Sequence, residues 1–392
     1  MSRTSVSFRE FDYYDINSLL TDEERSIRDA VRQFVDEKFL PRIQSCFEKG
    51  EFPFDLIKDM ARLGLFGAGF KEYGLPGVSD TAYGLIMQEL ERGDSGLRSF
   101  VSVQSALVMY SILKFGSEAQ KKRWIPRLAS GESIGCFGLT EPDFGSNPSG
   151  MLTNAKKRGR GYILSGTKMW ITNGSAADLA VIWAKFDGEV NGFLVEKGTA
   201  GFNAKDITGK LSLRASITSE LVLDECEISE TNRLPLVQGI RSALGCLTQA
   251  RYGIAWGAIG AAQACFHTAR DYALSRVQFD KPIAGFQLTQ EKLVEMATEI
   301  TKAQLLALRM GRLKESGKLT YAQVALAKRN NVWEALKIAR LARGILGSNG
   351  IMNEHCVMRH MANLESVYTY EGTHEMQTLI VGKDITGLDA FQ

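Results

Sequence analysis

The sequence has no CxxC pair, no HExxH spacing, no GxGxxG and no apolar run approaching the ~18 residues that cross a bilayer. Each absence excludes a class of protein. The cysteines (Cys46, Cys136, Cys226, Cys246, Cys265, Cys356) are scattered and read as reduced, mostly buried thiols rather than a disulfide framework. His267, His355, His360 and His374 share no metal-ligand spacing, so no metal is expected. The 47 basic and 45 acidic residues leave a net charge of +2, which gives no electrostatic footprint for nucleic acid or an anionic membrane. The opening MSRTSVSFREFDYYD is polar and acidic, in character neither a signal peptide nor a transit peptide. Without GxGxxG or alternating βα units, any redox cofactor is expected outside a doubly wound dinucleotide fold.

What is present falls into three regimes, and 392 residues exceed a single ordinary core. Residues 1–135 are helical. Thr21 and Glu24 form a capping-box pattern ahead of the apolar face Ile27, Val31, Phe34 and Val35. Another helix opens at Phe52-Pro53-Phe54-Asp55, and a long helical region runs from Asp80 to Ser117 with interruptions near Gly93 and Gly96. Residues 136–235 hold the short β-rich runs GYILSG, DLAVIWAKF, NGFLVEKG and SELVLDECEI, expected to form an antiparallel all-β unit. The basic run KKRGR reads there as a solvated hairpin turn rather than a phosphate site. Residues 236–392 return to helix, with Leu293, Met296, Ala297, Ile300, Ala303 and Ala307 making a stripe suited to a bundle. No internal repeat or low-complexity linker occurs. The fold class is α+β, mainly α, with three regions packed as one unit.

Three stretches carry candidate chemistry. CFGLTEPDFGSNPSG (136–150) combines glycines with hydroxyls and suits either a phosphate or flat-ring cradle or an interdomain turn. KMWITNG puts Trp170 and Thr172 on one face of a strand, lining a planar cofactor or the core. TYEGTHE (369–375) presents one carboxylate, Glu371, which by residue type alone is an ordinary solvated charge.

CFGLTEPDFGS, KMWITN, RVQFDKPIAGFQ (276–287), ILGSNG (345–350) and TYEGTHE occur in an order and at separations that resemble the acyl-CoA dehydrogenases. The likeness runs from about residue 15 to the end. It implies an FAD enzyme with a helical, a β and a helical-bundle domain. It also implies a reaction in which a carboxylate takes an α-proton while the β-hydride passes to the flavin. By that resemblance Glu371 is the base, and the position some members use for it is Ala250 here. The base residue's own N–H and a flavin hydroxyl would hold the thioester oxygen, an oxyanion-hole device. Tyr370 and Gly372 would border this pocket. Cofactor contacts are implied for Phe137, Leu139, Thr140, Gly145 and Ser146, and for Trp170, Ile171 and Thr172. Arg276, Phe279 and Gln287, with Gly344, Gly347 and Ser348, would reach the FAD of a neighbouring subunit. Thr373, Glu375 and Phe391 complete the implied cofactor set. Asp280 and Ser348 stand where the family commonly has glycine. The implied partners are an acyl-CoA, an electron-transfer flavoprotein or similar acceptor, and further copies of the chain in a homotetramer.

ELERGDSGLRSFVSVQS (89–105) resembles the glutaryl-CoA dehydrogenase branch, with Glu91, Arg98 and Ser102 at the matching positions. A Glu and an Arg at helical spacing are ordinarily a solvated ion pair. The branch resemblance implies instead that Arg98 meets the distal carboxylate of glutaryl-CoA. Ser146 and the 244–251 segment, with Leu244 and Arg251, would line the CoA side of the site, and Ser99 would also contact the substrate. The implied reaction is oxidative decarboxylation to crotonyl-CoA and CO2, as in lysine and tryptophan degradation, with Glu371 acting first as base and then as acid. The alternatives are a dehydrogenase of another short-chain or carrier-bound acyl thioester, an acyl-CoA oxidase, or a non-catalytic helical scaffold. The expected location is the cytoplasm of a bacterium or, for a processed eukaryotic chain, the mitochondrial matrix.

Overall fold

The structure, a computed structural model, describes residues 11–390, so Phe391 lies outside the described residues. Helix α1 (Asp22–Phe34) begins as its capping box requires: Glu24 N donates to Thr21 Oγ1 at 3.2 Å and Thr21 N donates to Glu24 Oε2 at 2.9 Å. A π-helical turn (Val35–Phe39) carries the chain into α2 (Leu40–Lys49), and α3 (Ile57–Arg62) follows. Helices α4 (Asp80–Gly93) and α5 (Ser95–Ser102) are separated by Asp94, whose backbone is extended at φ −168° and ψ 145°. A second π-helical turn (Val103–Met109) leads into α6 (Tyr110–Phe115), and α7 (Glu118–Ala129) closes the region. The stretch Ser95–Phe115 is long and apolar enough to cross a membrane by length and composition, yet 89% of that window is buried inside the fold. It is a central core helix.

The middle region is a seven-stranded sheet: β1 (Gly135–Gly138), β2 (Asn154–Arg158), β3 (Gly161–Thr172), β4 (Leu179–Phe186), β5 (Glu189–Glu196), β6 (Phe202–Asp206) and β7 (Thr218–Ser229). Its order is β1-β4-β2-β3-β7-β6, with β5 beside β4. The expectation of an antiparallel unit holds for β2–β3, β3–β7, β4–β5 and β6–β7. It fails at β1, which runs parallel to β4, and at the single parallel pairing Asn154↔Lys185 between β2 and β4. The sheet is mixed because the β2–β3 hairpin intervenes between β1 and β4, leaving enough chain for a parallel crossover. The basic run lies in that hairpin, where Lys157 pairs with Glu230 at 2.6 Å on the exposed surface.

The remainder is a bundle of α8 (Ile240–Ser275), α9 (Gln287–Glu315), α10 (Tyr321–Ile345), α11 (Cys356–Thr369) and α12 (His374–Thr386), with a small hairpin of β8 (Val277–Gln278) and β9 (Lys281–Pro282) between α8 and α9. Met296, Ile300, Ala303 and Ala307 of the predicted stripe are buried. Helix α8 is central and packs against both α10 and α4. Its glycines make this possible: a Cβ on Gly260 would lie 1.9 Å from the Gln88 carbonyl oxygen, and one on Gly257 would lie 2.0 Å from a Glu91 carboxylate oxygen. One apolar core runs through both helical regions, and the sheet closes on a second core around Tyr162, Leu164, Phe193 and Val195. All six cysteines are free thiols; Cys136, Cys226, Cys246 and Cys265 are buried and Cys46 and Cys356 partly so.

Candidate active site

Glu371 occupies the elbow between α11 and α12. Helix α11 stops at Tyr370, whose backbone is extended, and Thr373 starts α12 by accepting a hydrogen bond from Met376 N at 3.2 Å. Between these caps Glu371 and Gly372 are both left-handed, at φ 53° and 91°. A non-glycine residue in that region is strained by ~1–3 kcal/mol and persists only where its surroundings hold it. Here the elbow is gripped by its carbonyls. Lys328 Nζ, from α10, donates to the Tyr370 and Gly372 carbonyls at 2.5 and 2.6 Å. Arg251 Nε, from α8, donates to the Glu371 carbonyl at 2.6 Å, and Gln377 Nε2 donates to that of Gly372 at 3.0 Å.

Glu371 is half-buried rather than fully solvated. Its Oε2 is buried without a hydrogen-bond partner among the described residues. Burial raises its pKa above the usual carboxylate value, against the opposing pull of Arg98, Lys328 and Arg251. Burial likewise pushes Lys328 down to about 7, with Glu371 opposing and Arg251 and Arg98 reinforcing the shift. It also lowers Arg251, against the attraction of Glu371.

Arg98 and Glu91 are both 0% exposed, so the solvated ion pair is excluded. Arg98 Nε donates to Glu91 Oε2 at 2.8 Å, and Glu91 Oε1 accepts from Ser95 Oγ at 2.8 Å. Arg98 Nη2 donates to the Tyr370 hydroxyl, which brings the guanidinium to the elbow that carries Glu371. Arg98 Nη1 and Ser102 Oγ are buried with no partner among the described residues. The pair forms across a helix break rather than along one helix. Asp94 sets that break by accepting from Gly96 N at 2.7 Å, Arg359 Nε at 3.0 Å and Asn363 Nδ2 at 2.9 Å. Ser99 is buried beside Arg98 on α5, and Leu244 is 37% exposed on α8.

The 136–150 loop and β3 meet where Met169 N donates to the Thr140 carbonyl at 2.9 Å. Trp170 sits in a bulge at φ 63° and is 59% exposed, which excludes a plain core role. Ile171 is buried, and Thr172 follows it on the strand. Phe137 and Leu139 are buried. Gly145 and Ser146 are exposed on the loop. The loop is fastened by a buried ion pair: Lys168 Nζ donates to Glu141 Oε1 at 2.8 Å and to the Leu139 carbonyl at 3.0 Å, while Glu141 accepts from Leu152 N and Thr153 N at 2.6 and 2.9 Å. An exposed indole held in a strained bulge beside an open, donor-rich loop fits the face and edge of a flat ring, as a flavin requires.

Arg276, Phe279, Gln287, Gly344, Gly347 and Ser348 form a separate exposed group on the bundle, where the β8–β9 hairpin packs on α8 rather than on the sheet. Its turn residues Phe279 and Asp280 are left-handed at φ 50° and 63°, and Phe279 is 88% exposed. Asp280 therefore occupies a backbone position that suits glycine and that aspartate tolerates. Thr373 and Glu375 lie in the first turn of α12, where Glu375 accepts from the Tyr368 hydroxyl at 3.2 Å. Lys328 and Gln377 were missed by sequence reasoning. A lysine and an asparagine (Asn331) within the buried Val324, Ala325, Ala327, Val332, Ala335 stripe of α10 were the available signal.

The chain matches the family models for the acyl-CoA dehydrogenase N-terminal, middle and C-terminal domains over residues 21–132, 136–226 and 237–386. Two solved structures of glutaryl-CoA dehydrogenase from Mycobacterium smegmatis are similar to it. One is 55% identical with a TM-score of 0.95, covering 96% of this chain and 98% of that one. The other, in complex with FADH2, is 51% identical with a TM-score of 0.96, covering 97% and 98%. The glutaryl-CoA dehydrogenase of Desulfococcus multivorans is 34% identical over 381 residues, 94% of this chain and 98% of that protein.

Proposed function

The chain belongs to the acyl-CoA dehydrogenase family as a glutaryl-CoA dehydrogenase-like FAD enzyme, and from that premise we propose that it oxidises and decarboxylates glutaryl-CoA to crotonyl-CoA and CO2. The observation that carries the substrate assignment is the buried Arg98, with Nη1 and the nearby Ser102 Oγ left without hydrogen-bond partners among the described residues. An unmade buried hydrogen bond costs ~1–3 kcal/mol. Glu91 already offsets the charge of Arg98, so a purely structural ion pair has no need of these loose ends. A distal carboxylate would satisfy both; the methyl terminus of a fatty acyl chain would satisfy neither.

In this reading Glu371 removes the α-proton of the thioester, and its own N–H holds the thioester oxygen as charge develops there. The 140–146 loop, Trp170 and Thr172 would hold FAD, which would supply the acceptor for the β-hydride. The distal carboxylate then leaves as CO2, its carbon–carbon bonding pair moving into the conjugated thioester. Glu371, now protonated, returns its proton to the terminal carbon. A carboxyl with a raised pKa suits both halves of this exchange. Arg251, read from the sequence as lining the CoA side, is turned inward onto the base elbow. A homotetramer in which the exposed β8–β9 hairpin reaches a neighbour's FAD, and an acceptor of the electron-transfer flavoprotein type, complete the proposal.

Anaerobic mixing of the holoenzyme with glutaryl-CoA tests it. Flavin bleaching with release of CO2 and crotonyl-CoA is expected. Accumulation of glutaconyl-CoA without CO2 overturns the decarboxylation, and faster bleaching by butyryl-CoA than by glutaryl-CoA overturns the substrate.

A further inference from the structure

We propose that Lys328 is a positioning residue for the base: its ammonium clamps the carbonyls of Tyr370 and Gly372, the residues on either side of Glu371, and its positive charge acts on the Glu371 carboxylate. The inference rests on the reading of Glu371 as the base. Its geometry is direct. Lys328 is 2% exposed on a helix face that is otherwise apolar apart from Asn331. An ammonium is costly to bury unless a specific interaction repays it. What it meets is the strained elbow: the carbonyls before and after Glu371, at 2.5 and 2.6 Å, with the Tyr370 ring centroid 5.8 Å away. Holding the Tyr370 carbonyl fixes the peptide plane that enters Glu371, and holding that of Gly372 fixes the plane one residue beyond; Arg251 holds the plane between them through the Glu371 carbonyl.

The charge acts separately from the clamp. Around Lys328 lie Glu91 on α4, Arg98 on α5, Arg251 on α8, Tyr370 and Glu371 in the elbow, and His374 at the start of α12. Glu91 is committed to Arg98 through a hydrogen bond, and the Arg251 Nε to a carbonyl. Lys328 therefore has no carboxylate within ion-pair distance among the described residues, and its charge bears on Glu371 across the pocket. Glu371 is held down by the lysine, while burial keeps the lysine itself near neutrality. The number of protons on the pair decides whether the base is ready.

The test is the pH profile of kcat/KM for glutaryl-CoA, whose acid limb reports the base in the free holoenzyme. Lys328→Gln removes the charge but keeps donors. Its acid limb is expected to move alkaline by about one pH unit or more, with kcat at pH 7 reduced by about tenfold and KM within about threefold. Lys328→Arg keeps the charge and is expected to hold the limb within a few tenths of a unit. Flavin absorbance and melting temperature confirm the fold, and Lys328→Met, of similar volume, is read the same way should Lys328→Gln fail to fold. An unmoved acid limb in the neutral variants, or equal shifts in Lys328→Gln and Lys328→Arg, overturns the proposal. Glu371→Gln is run in parallel and is expected to bind FAD but not to bleach. If it bleaches normally, the base assignment itself fails; if it does not bleach and the Lys328 profiles coincide with wild type, only the role of Lys328 falls.

Discussion

At the scale of single residues the decisive pair is Glu91 and Arg98. Because both are fully buried and hydrogen-bonded, removing one partner strands a charge. Arg98→Leu should cost ~3–5 kcal/mol of stability, since Glu91 is left unpaired, and so cannot by itself report on the substrate. The double variant Arg98→Leu/Glu91→Leu should regain most of that stability in denaturant unfolding while remaining unable to use glutaryl-CoA and able to oxidise butyryl-CoA. Equal losses on both substrates in the double variant would remove Arg98 from specificity. Much of this site was legible in residue types and motif order: Glu371, Arg98, Glu91, Ser102 and Trp170 were all singled out. What was not legible was burial. Spacing alone suits a solvated pair because it carries no information about what packs over Glu91 and Arg98; only the branch resemblance puts Arg98 in the acyl pocket, and the pair closes across the break at Asp94. Lys328 escaped notice for a related reason. Its partners are backbone carbonyls more than 40 residues away, and carbonyls have no sequence signature.

At the scale of elements the site depends on how closely α8 approaches α4. Gly260 faces the Gln88 carbonyl and Gly257 faces the Glu91 carboxylate, both at distances no side chain tolerates. Gly260→Ala should therefore cost more than ~2 kcal/mol through overpacking against backbone. Gly245 lies on the same helix with nothing within 4 Å of an added Cβ, and Gly245→Ala should be neutral or stabilising by up to ~1 kcal/mol, the helix-propensity gain. Chemical denaturation of the two variants checks the contrast; similar values would mean the α4–α8 contact relaxes freely. The Ala- and Gly-rich composition of α8 announced close packing, and the apolar stripe of α9 announced a bundle. The π-helical turns at Val35–Phe39 and Val103–Met109 were not visible, since one extra residue per turn barely disturbs an apolar pattern. Nor was the parallel pairing of β1 with β4, because side-chain alternation is the same for either strand direction.

At the scale of the whole molecule, a charge network joins the N-terminal helices to one another, and a histidine of the bundle packs against it. Glu89 of α4 accepts from Arg32 of α1 and from Arg92, each at 2.8 Å, and Arg92 reaches Asp36 at 2.7 Å. His267 of α8 sits against this cluster, 6% exposed. Burial, then the nearby Arg270, Arg32 and Arg92, push its pKa down to about 3, with Glu89 opposing. Between that value and the ordinary ~6.5 of an unfolded histidine, the unfolded chain binds the extra proton. Stability from this group is therefore complete above pH 6.5 and lost as pH falls toward 3, with a slope of up to roughly 1.4 kcal/mol per pH unit. The lowered carboxylates of Glu24, Glu89 and Glu141 act in the same direction below pH 4.5. Glu371, raised by burial, acts in the opposite direction above pH 4.5. Lys328, pushed down to about 7 by burial, adds stability only as pH rises from there toward 10.5. The melting temperature of the holoenzyme should accordingly climb from pH 4 to 6.5. In His267→Gln, neutral throughout, that climb should be shallower, while activity at pH 7 is retained because the residue lies outside the acyl pocket. A variant whose melting temperature follows the wild-type slope across this window would show that His267 is charged in the fold, and that the network around Glu89 rather than burial sets its proton.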